Sequence, residues 1–471
     1  MSERKTPLFA ALYDHAAGHP AAFHTPGHKG HMPQLAPLSD IALDLTELPD
    51  TGSLYDGGDV IEQAERLAAA AFGARDTLFS AGGCTLCIQA MLLLGAGAGG
   101  RVLMARTAHR SAVHAAVLLG LEPVWLWPAQ DAHGVLPPDA GEAERALAAD
   151  PGIRAVYITS PDYAGNLADI PAFAAVCRRH GVPLLVDNAH GSHLGAFGLH
   201  PLALGADLTA DSAHKTLPVL TGGAMLHIGN TPKAAGITRP AAKAAMALFG
   251  STSPAFPVLA SLDLARSWWE EEGPSAFRRV VETTDNLRRL AARQGIEAYA
   301  GRALRDPSRL TLDFSADGRD AAAAAEWFRR QGCEPEYADN RYLVFILTPG
   351  NTEEDFARLE RALEALPQAK LPAPGRPPFP LFAPDARPQA VMPPREAVLC
   401  AAEEIPMAAA AGRIAARTVC PCPPGVPAIV PGERFTPALA AALAACGHRS
   451  AAVCTGPCRS KITCQKPADT V

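Results

Sequence analysis

Asp211-Ser212-Ala213-His214-Lys215-Thr216 sets a lysine directly behind a Ser-x-His, and the rest of the chain can be read outward from it. Upstream, Val182-Pro183-Leu184-Leu185-Val186-Asp187 is a short apolar run that ends in an acid and is followed by Asn188-Ala189-His190-Gly191. The run predicts a buried strand. An acid at the carboxyl end of a parallel strand lies where open α/β sheets place their ligands. A lysine amine downstream of such an acid is the pair that pyridoxal phosphate (PLP) chemistry requires: a nucleophile to carry the cofactor, and a carboxylate to keep its ring nitrogen protonated.

Further motifs stand in order around this pair. Phe23-His24-Thr25-Pro26-Gly27-His28-Lys29-Gly30 lies near the start, and Pro421-Cys422-Pro423-Pro424-Gly425-Val426-Pro427 with Pro431-Gly432-Glu433 lies near the end. Together with Val186-Asp187-Asn188-Ala189-His190-Gly191 and Ser212-Ala213-His214-Lys215-Thr216 they resemble the ornithine/lysine/arginine decarboxylase family, in its shorter, Gram-positive-like group. The resemblance spans about residues 5 to 440. It implies an α/β protein of PLP fold type I: a mainly parallel seven-stranded sheet sandwiched by helices, a smaller α+β domain and a C-terminal family domain. The boundaries expected are 1–60 for an N-terminal arm, 61–260 for the large PLP-binding domain and 261–370 for the small domain. The C-terminal domain follows over 371–450, and 451–471 reads as a flexible tail.

Composition bounds the function. At 471 residues the chain is too long for one ordinary core. Its 48% hydrophobic and 19% charged content is that of a globular protein. A net charge of -6, with nothing basic concentrated in one place, argues against nucleic acid or an anionic membrane as partner. Met1 to Lys5 is polar with no apolar run behind it, so no signal peptide is expected, and the location expected is cytoplasmic. The longest apolar run, Ala90 to Ala98, is too short to span a bilayer. The eleven cysteines include Cys84-Thr85-Leu86-Cys87, which fits a helix start better than a metal site. The later Cys420, Cys422, Cys446, Cys454, Cys458 and Cys464 read as free thiols, and no metal is expected.

Ile61 to Phe72 shows helical spacing and stops at Gly73. Thr77-Leu78-Phe79 is a strand, and Ala81-Gly82-Gly83-Cys84-Thr85 turns into a helix from Leu86 to Leu94. Strand, glycine turn and helix N-terminus form an anion site, read here as the PLP phosphate cradle of Gly83, Cys84 and Thr85. Family members commonly carry a serine or threonine where Cys84 stands. Arg101 to Ala105 is a strand leading to His109-Arg110-Ser111 and a helix to Leu119; the resemblance lays His109 against the cofactor ring. Ala155 to Ser160 is a strand and Ile170 to His180 a helix, the alternation of βαβ units. Gly222 to Ile228 is a further strand.

Ser251-Thr252-Ser253-Pro254 resembles the segment that reaches the partner subunit's cofactor phosphate, which makes Thr252 a shared ligand and a homodimer or higher oligomer the expected assembly. The residues alone read equally as a helix N-cap. The proline-rich, aperiodic N-terminal arm approaches the active site in the family, so His28 and Lys29 are candidates to line it. Beyond Leu262 a long helix precedes strands and helices of the small domain. Arg309 to Phe314 alternates as a strand exposed on one face, Leu343 to Thr348 is a second strand, Pro367 to Pro394 a proline-rich linker, and Ala397 to Thr418 reads as helical.

By the resemblance, the chain decarboxylates lysine, ornithine or arginine in polyamine biosynthesis. Lys215 forms the Schiff base, Asp187 keeps the ring protonated, and His109 completes the catalytic set. His190, Ser212 and His214 join them as cofactor contacts. An aminotransferase or other PLP lyase would share Lys215 and Asp187, and a non-catalytic PLP-binding homologue is the remaining alternative.

Overall fold

A computed structural model describes residues 21–24, 27–29, 32–39, 44–49, 51–57, 60–131, 134–298, 304–375, 382–420 and 425–456. The Pro421-Cys422-Pro423-Pro424 run, the residues beyond 456, and Thr25, Pro26 and Gly30 of the arm motif lie outside them.

Strand β1 (Ala21–Phe23) belongs to the arm, followed by helix α1 (Val60–Ala71) of the large domain. Gly73 ends that helix in the left-handed region at φ +67, where a Cβ would be strained. The large domain continues with β2 (Asp76–Ser80), α2 (Gly83–Ala96), β3 (Arg101–Ala105), α3 (Arg110–Leu119), β4 (Glu122–Leu126) and α4 (Ala140–Ala149). Next come β5 (Ile153–Thr159), α5 (Ile170–His180), β6 (Leu184–Asp187), β7 (Leu208–Asp211), β8 (Ala224–Ile228) and α6 (Arg239–Ala247). Helix α5 shows why these boundaries hold. Asp169 caps its N-terminus by accepting from Ala172 N, Arg178, Arg179 and His180 face the negative end of its dipole, and Gly181 closes it in the left-handed region.

The seven strands order as β2-β8-β7-β6-β5-β3-β4. Those from β7 to β4 pair in parallel, while β8 runs antiparallel to both its neighbours. Two reversals restore the direction, so β2 points the same way as β7. The carboxyl ends of β2, β3, β5, β6 and β7 therefore share one edge, and every predicted ligand of the large domain except Thr252 follows one of those ends. Both faces are covered by helices, which is why Leu184, Leu185 and Val186 are each fully buried without alternation. Each such side chain contributes about 1.5–3 kcal/mol of transfer free energy.

Helices α7 (Phe256–Glu271) and α8 (Gly273–Arg293) replace the single long helix expected after Leu262. Pro274 has no N–H to donate and is tolerated only in a first turn, so a new helix starts there. The small domain then builds a four-stranded antiparallel sheet from β9 (Glu297–Ala298), β10 (Arg309–Asp313), β12 (Tyr337–Ala338) and β13 (Tyr342–Ile346), in the order β9-β10-β13-β12. Helix α9 (Ala321–Arg330) and strand β11 (Cys333–Pro335) precede β12 in the chain, and β1 pairs in parallel with β11. The arm is thereby stitched to the small domain. Helix α10 (Glu353–Ala365) opens on a capping box of Thr352 and Asp355.

Strand β10 was expected to expose one face, and all five of its residues are buried. Its polar side chains are consumed by contacts. Arg309 Nη1 donates to Tyr163 O (3.2 Å), Thr311 Oγ1 to Ala164 O (2.8 Å), and Asp313 accepts from Arg341 Nη2 (2.8 Å). The alternation marks the face docked on the Pro161–Gly165 loop of the large domain.

The C-terminal region holds β14 (Gln389–Ala390), α11 (Pro394–Leu399), β15 (Ala402–Pro406), β16 (Glu433–Arg434), α12 (Pro437–Ala445) and β17 (Ser450–Cys454). A helix over Ala397 to Thr418 is overturned: α11 stops at Leu399, and β15 follows, ending at Pro406, whose ring a helix interior would not accept. The first residues of the expected tail, 451–454, belong to a strand, while those beyond 456 lie outside the described residues. Residues Ser450 to Cys454 pair antiparallel with β15, and Ala451 and Val453 alternate into the core beside Leu439 and Leu443. No helix among the described residues is long and apolar enough to cross a membrane.

Candidate active site

A single helical turn, Ala213–Thr216, follows β7 and projects Lys215 over the carboxyl edge of the sheet. Its Nζ lies 3.0 Å from His190 Nε2. Arg309 Nη2 approaches the other imidazole nitrogen, Nδ1, at 3.4 Å. A guanidinium can only donate, so the His190 proton sits on Nε2 and points at the lysine nitrogen. Burial lowers the Lys215 pKa, against the pull of Asp187, Cys84 and Glu336. It also holds His190 well below the usual imidazole range, helped by Lys215 and Arg309. The arrangement favours an uncharged amine, the nucleophilic form.

Asp187 ends β6 and is 2% exposed. Oδ2 accepts from Tyr157 Oη and Oδ1 from Ala189 N, both at 3.1 Å. Burial raises its pKa, Lys215 opposes that, and Asp211 adds to it. An acid in this state gains most from a cationic partner.

Behind it, Asp211 accepts from Asn188 Nδ2 (2.7 Å) and from His200 Nε2 (3.0 Å). Burial raises the Asp211 pKa, but His200 and His227 outweigh it, so the group is held low. His200, Asp211 and His227 bring three ligand-type atoms within 4.8 Å of one another. Leu202 N donates to His200 Nδ1 (3.3 Å), which places the proton on Nε2 and leaves that nitrogen no lone pair for a metal. His200 and Asp211 form a hydrogen-bonded support for the lysine turn, and His227 Nδ1 lies 2.8 Å from Thr77 Oγ1.

The glycine turn after β2 faces the same edge. Gly83 adopts φ +70, and its N–H donates to Gly222 O at 2.8 Å. Gly82 N is taken by Ser80 Oγ at 3.1 Å. The Gly83 amide is thus engaged in holding the turn. The N–H groups of Cys84 and Thr85 are among the first of α2, which have no intrahelical acceptor. Thr85 is exposed at that terminus. Cys84 is buried, and burial with Asp187 pushes its thiol well above the usual range, so it is a neutral wall and not a nucleophile.

His109 caps α3. Its Nδ1 accepts from Ser111 N (3.2 Å) and lies 2.9 Å from Ser111 Oγ, so its proton is on Nε2. Burial, then Lys215, Arg110 and His114, lower its pKa to about 4. The ring presented to the site is neutral. His214 donates from Nδ1 to Gly223 O (3.0 Å), which orients the lysine turn. Ser212 is buried at the start of that turn, and its backbone O accepts from Lys215 N at 3.0 Å.

The arm reaches this centre. Gly27 N donates to His214 O (2.7 Å), and Gly27 O accepts from Thr348 Oγ1 (2.6 Å). A Cβ on Gly27 would lie 2.5 Å from the carbonyl carbon of Thr216, so only glycine fits. Lys29, at φ 51, hydrogen-bonds His24 O, and burial lowers its pKa to about 7. Thr252 stands apart: it is exposed, and Ser251 Oγ next to it accepts from Ser253 N at 3.1 Å. The segment caps no helix, since α7 begins at Phe256 with Ala255 before it.

Tyr157, Tyr163, Arg309 and Glu336 belong to the site and were not singled out from sequence. Tyr163 stacks edge-on against His190 at 4.9 Å, and its hydroxyl donates to Glu336 Oε1 at 2.6 Å. The signals were slight: a tyrosine in an apolar strand, and an arginine opening another.

These residues fit PLP: an amine kept uncharged for its aldehyde, a buried acid for its ring nitrogen, free helix amides for its phosphate and a neutral ring to cover it. A family model described as Orn/Lys/Arg decarboxylase, major domain, matches residues 6–305, and one for the same family's C-terminal domain matches residues 381–445. An arginine decarboxylase of Bacillus subtilis is 30% identical over 467 residues, covering 93% of this chain and 92% of that one. One from Halalkalibacterium halodurans is 29% identical over 460 residues, covering 92% of each. Among solved structures, the constitutive lysine decarboxylase of Escherichia coli superposes with a TM-score of 0.72 at 20% identity, over 93% of this chain and 77% of that one.

Proposed function

From a chain that belongs to the Orn/Lys/Arg decarboxylase family, and has its fold type I architecture, we propose a PLP-dependent decarboxylase whose basic amino-acid substrate is arginine. The carrying observation is Lys215 Nζ at 3.0 Å from His190 Nε2, on the sheet edge that Asp187 ends. Arginine is favoured over lysine and ornithine because relatives named arginine decarboxylase align with this chain over nearly their whole length.

Bound PLP supplies the electron sink for the pair left behind when CO2 departs. The chain supplies the rest. Lys215 Nζ would hold the cofactor, and beside His190 Nε2 at 3.0 Å its amine can take up and return protons. Asp187 keeps the proton on the ring nitrogen, with Tyr157 and Ala189 N fixing its two oxygens. Asp211, held by hydrogen bonds from His200 and Asn188, supports the turn from beneath. The amides of Cys84 and Thr85 would take the phosphate, and neutral His109 would cover the ring and exclude water.

Thr252, exposed in one chain, reaches the phosphate of a partner subunit in this reading, so the working form is a homodimer. A cytoplasmic place in polyamine biosynthesis is the setting it carries. Purified protein with PLP should release CO2 from arginine with a larger kcat/KM than from lysine or ornithine. Larger values for lysine would overturn the substrate choice, and a keto acid in place of an amine would overturn the reaction.

A further inference from the structure

The C-terminal domain meets the large domain through a charge that neither can expose. Arg106, just past β3, and Glu433, at the start of β16, are each 1% exposed as side chains and pair at 3.1 Å. Arg106 Nη1 also donates to Pro427 O (2.6 Å) and Nη2 to Ala428 O (3.1 Å). Its guanidinium lies 4.9 Å from the Trp125 ring centroid and 5.2 Å from that of Trp127. Glu433 in turn accepts from Val430 N at 2.9 Å. One planar fork therefore fixes both ends of the 427–433 loop, a task a lysine could not perform.

Two residues before that loop, Gly425 touches the site. Its carbonyl accepts from Arg110 N (3.0 Å), and it adopts φ +73. A Cβ there would lie 2.8 Å from both Cδ2 and Nε2 of His109. Ser111 already holds the opposite edge of that imidazole through Nδ1. The ring is thus gripped from two sides by two domains, and swinging off its face would carry it into the backbone of Gly425.

We propose that the C-terminal domain is a working part of the active site: Arg106 seats it, and Gly425 is a positioning residue that sets the plane of His109 against the cofactor. That His109 faces a cofactor rests on the function proposed above. The domain does more than add stability, because its docking and the geometry of the ring are one event.

The test is PLP affinity, titrated by absorbance, together with thermal unfolding, for wild type, Gly425→Ala, His109→Ala and the double variant. Gly425→Ala should weaken PLP binding at least tenfold when His109 is present. It should change binding less than twofold in the His109→Ala background, where the methyl meets no ring. Backbone strain at φ +73 should lower the melting temperature in both backgrounds, and at least as much where the ring adds its clash. Equal loss of PLP affinity in both backgrounds, or a loss under twofold in the first, overturns the proposal. If Gly425→Ala yields no folded protein, Glu433→Gln, which loosens the Arg106 seat and adds no atom, is read by the same pair of comparisons. Wild-type protein that takes up no PLP would instead sink the function proposed above.

Discussion

Replacing Asp187 by asparagine should move the protein in opposite directions with and without cofactor. In the cofactor-free chain the carboxyl is 2% exposed and accepts from Tyr157 Oη and Ala189 N, each at 3.1 Å. Burial raises its pKa. A carboxyl whose folded pKa lies above the unfolded value contributes stability below the unfolded pKa and loses it as pH rises through the folded one. At neutral pH, then, Asp187 is a cost to the empty protein. Asparagine removes that cost and can still accept from Tyr157, so the apoprotein of Asp187→Asn should melt at or above the wild-type temperature at pH 7. The difference should shrink toward pH 4. With PLP the sign reverses, since the lost contact is a hydrogen bond to a charged group, about 1.5–3 kcal/mol. That corresponds to PLP binding weaker by roughly tenfold to two-hundredfold. Scanning calorimetry of both forms and an absorbance titration measure the two effects. An equal fall in melting temperature with and without PLP would refute the reasoning and make the carboxylate a structural one.

Lys29 supplies a pH test. Its folded pKa, about 7, lies below the unfolded value, so the folded chain is penalised increasingly as pH falls from the ordinary lysine range to about 7. Lys29→Met should stabilise the protein at pH 7 and progressively less toward pH 10 in urea unfolding; a difference independent of pH contradicts this. Gly27→Ala would drive a methyl to within 2.5 Å of Thr216 C and 2.8 Å of Leu217 O, backbone atoms that cannot rotate away. A cost of about 1–3 kcal/mol and weakened PLP uptake are expected, and wild-type behaviour in both would show the arm is loosely seated. For the shared site, Lys215→Ala and Thr252→Val subunits should each be inactive alone and regain activity once mixed and exchanged. No recovery after confirmed exchange, or a monomer by light scattering, counts against it.

The parts of this protein that a sequence states plainly are those fixed by local pattern. Val182 to Asp187 reads as a buried strand because both sheet faces are covered, and Ile170 to His180 reads as a helix because caps stand at both ends. The lysine turn and its acid were legible for the same reason: each follows a strand directly. Non-local facts were not. Nothing in Ala224–Ile228 says that it runs against its neighbours, yet that reversal sets the start of the strand, at Gly222 and Gly223, on the lysine's edge. Arg309 and Thr311 look like the wet face of a strand, because polar residues buried by docking have the same period as polar residues left in water. That Gly83 donates to Gly222 O was not legible, because the acceptor lies far along the chain. Pro406 was a local signal, and alanine-rich flanks with helical propensity hid it.

The central claim is that Lys215 carries the cofactor, and chemical trapping tests it most directly. Protein incubated with PLP, reduced with borohydride and digested should yield one modified peptide, with the pyridoxyl group on Lys215. Of the buried lysines among the described residues, Lys29 is held by His24 O and Lys243 by Glu65, and neither should be labelled. A pyridoxyl group on either of them with Lys215 bare, or no label after reduction of a protein shown to bind PLP, would contradict the account.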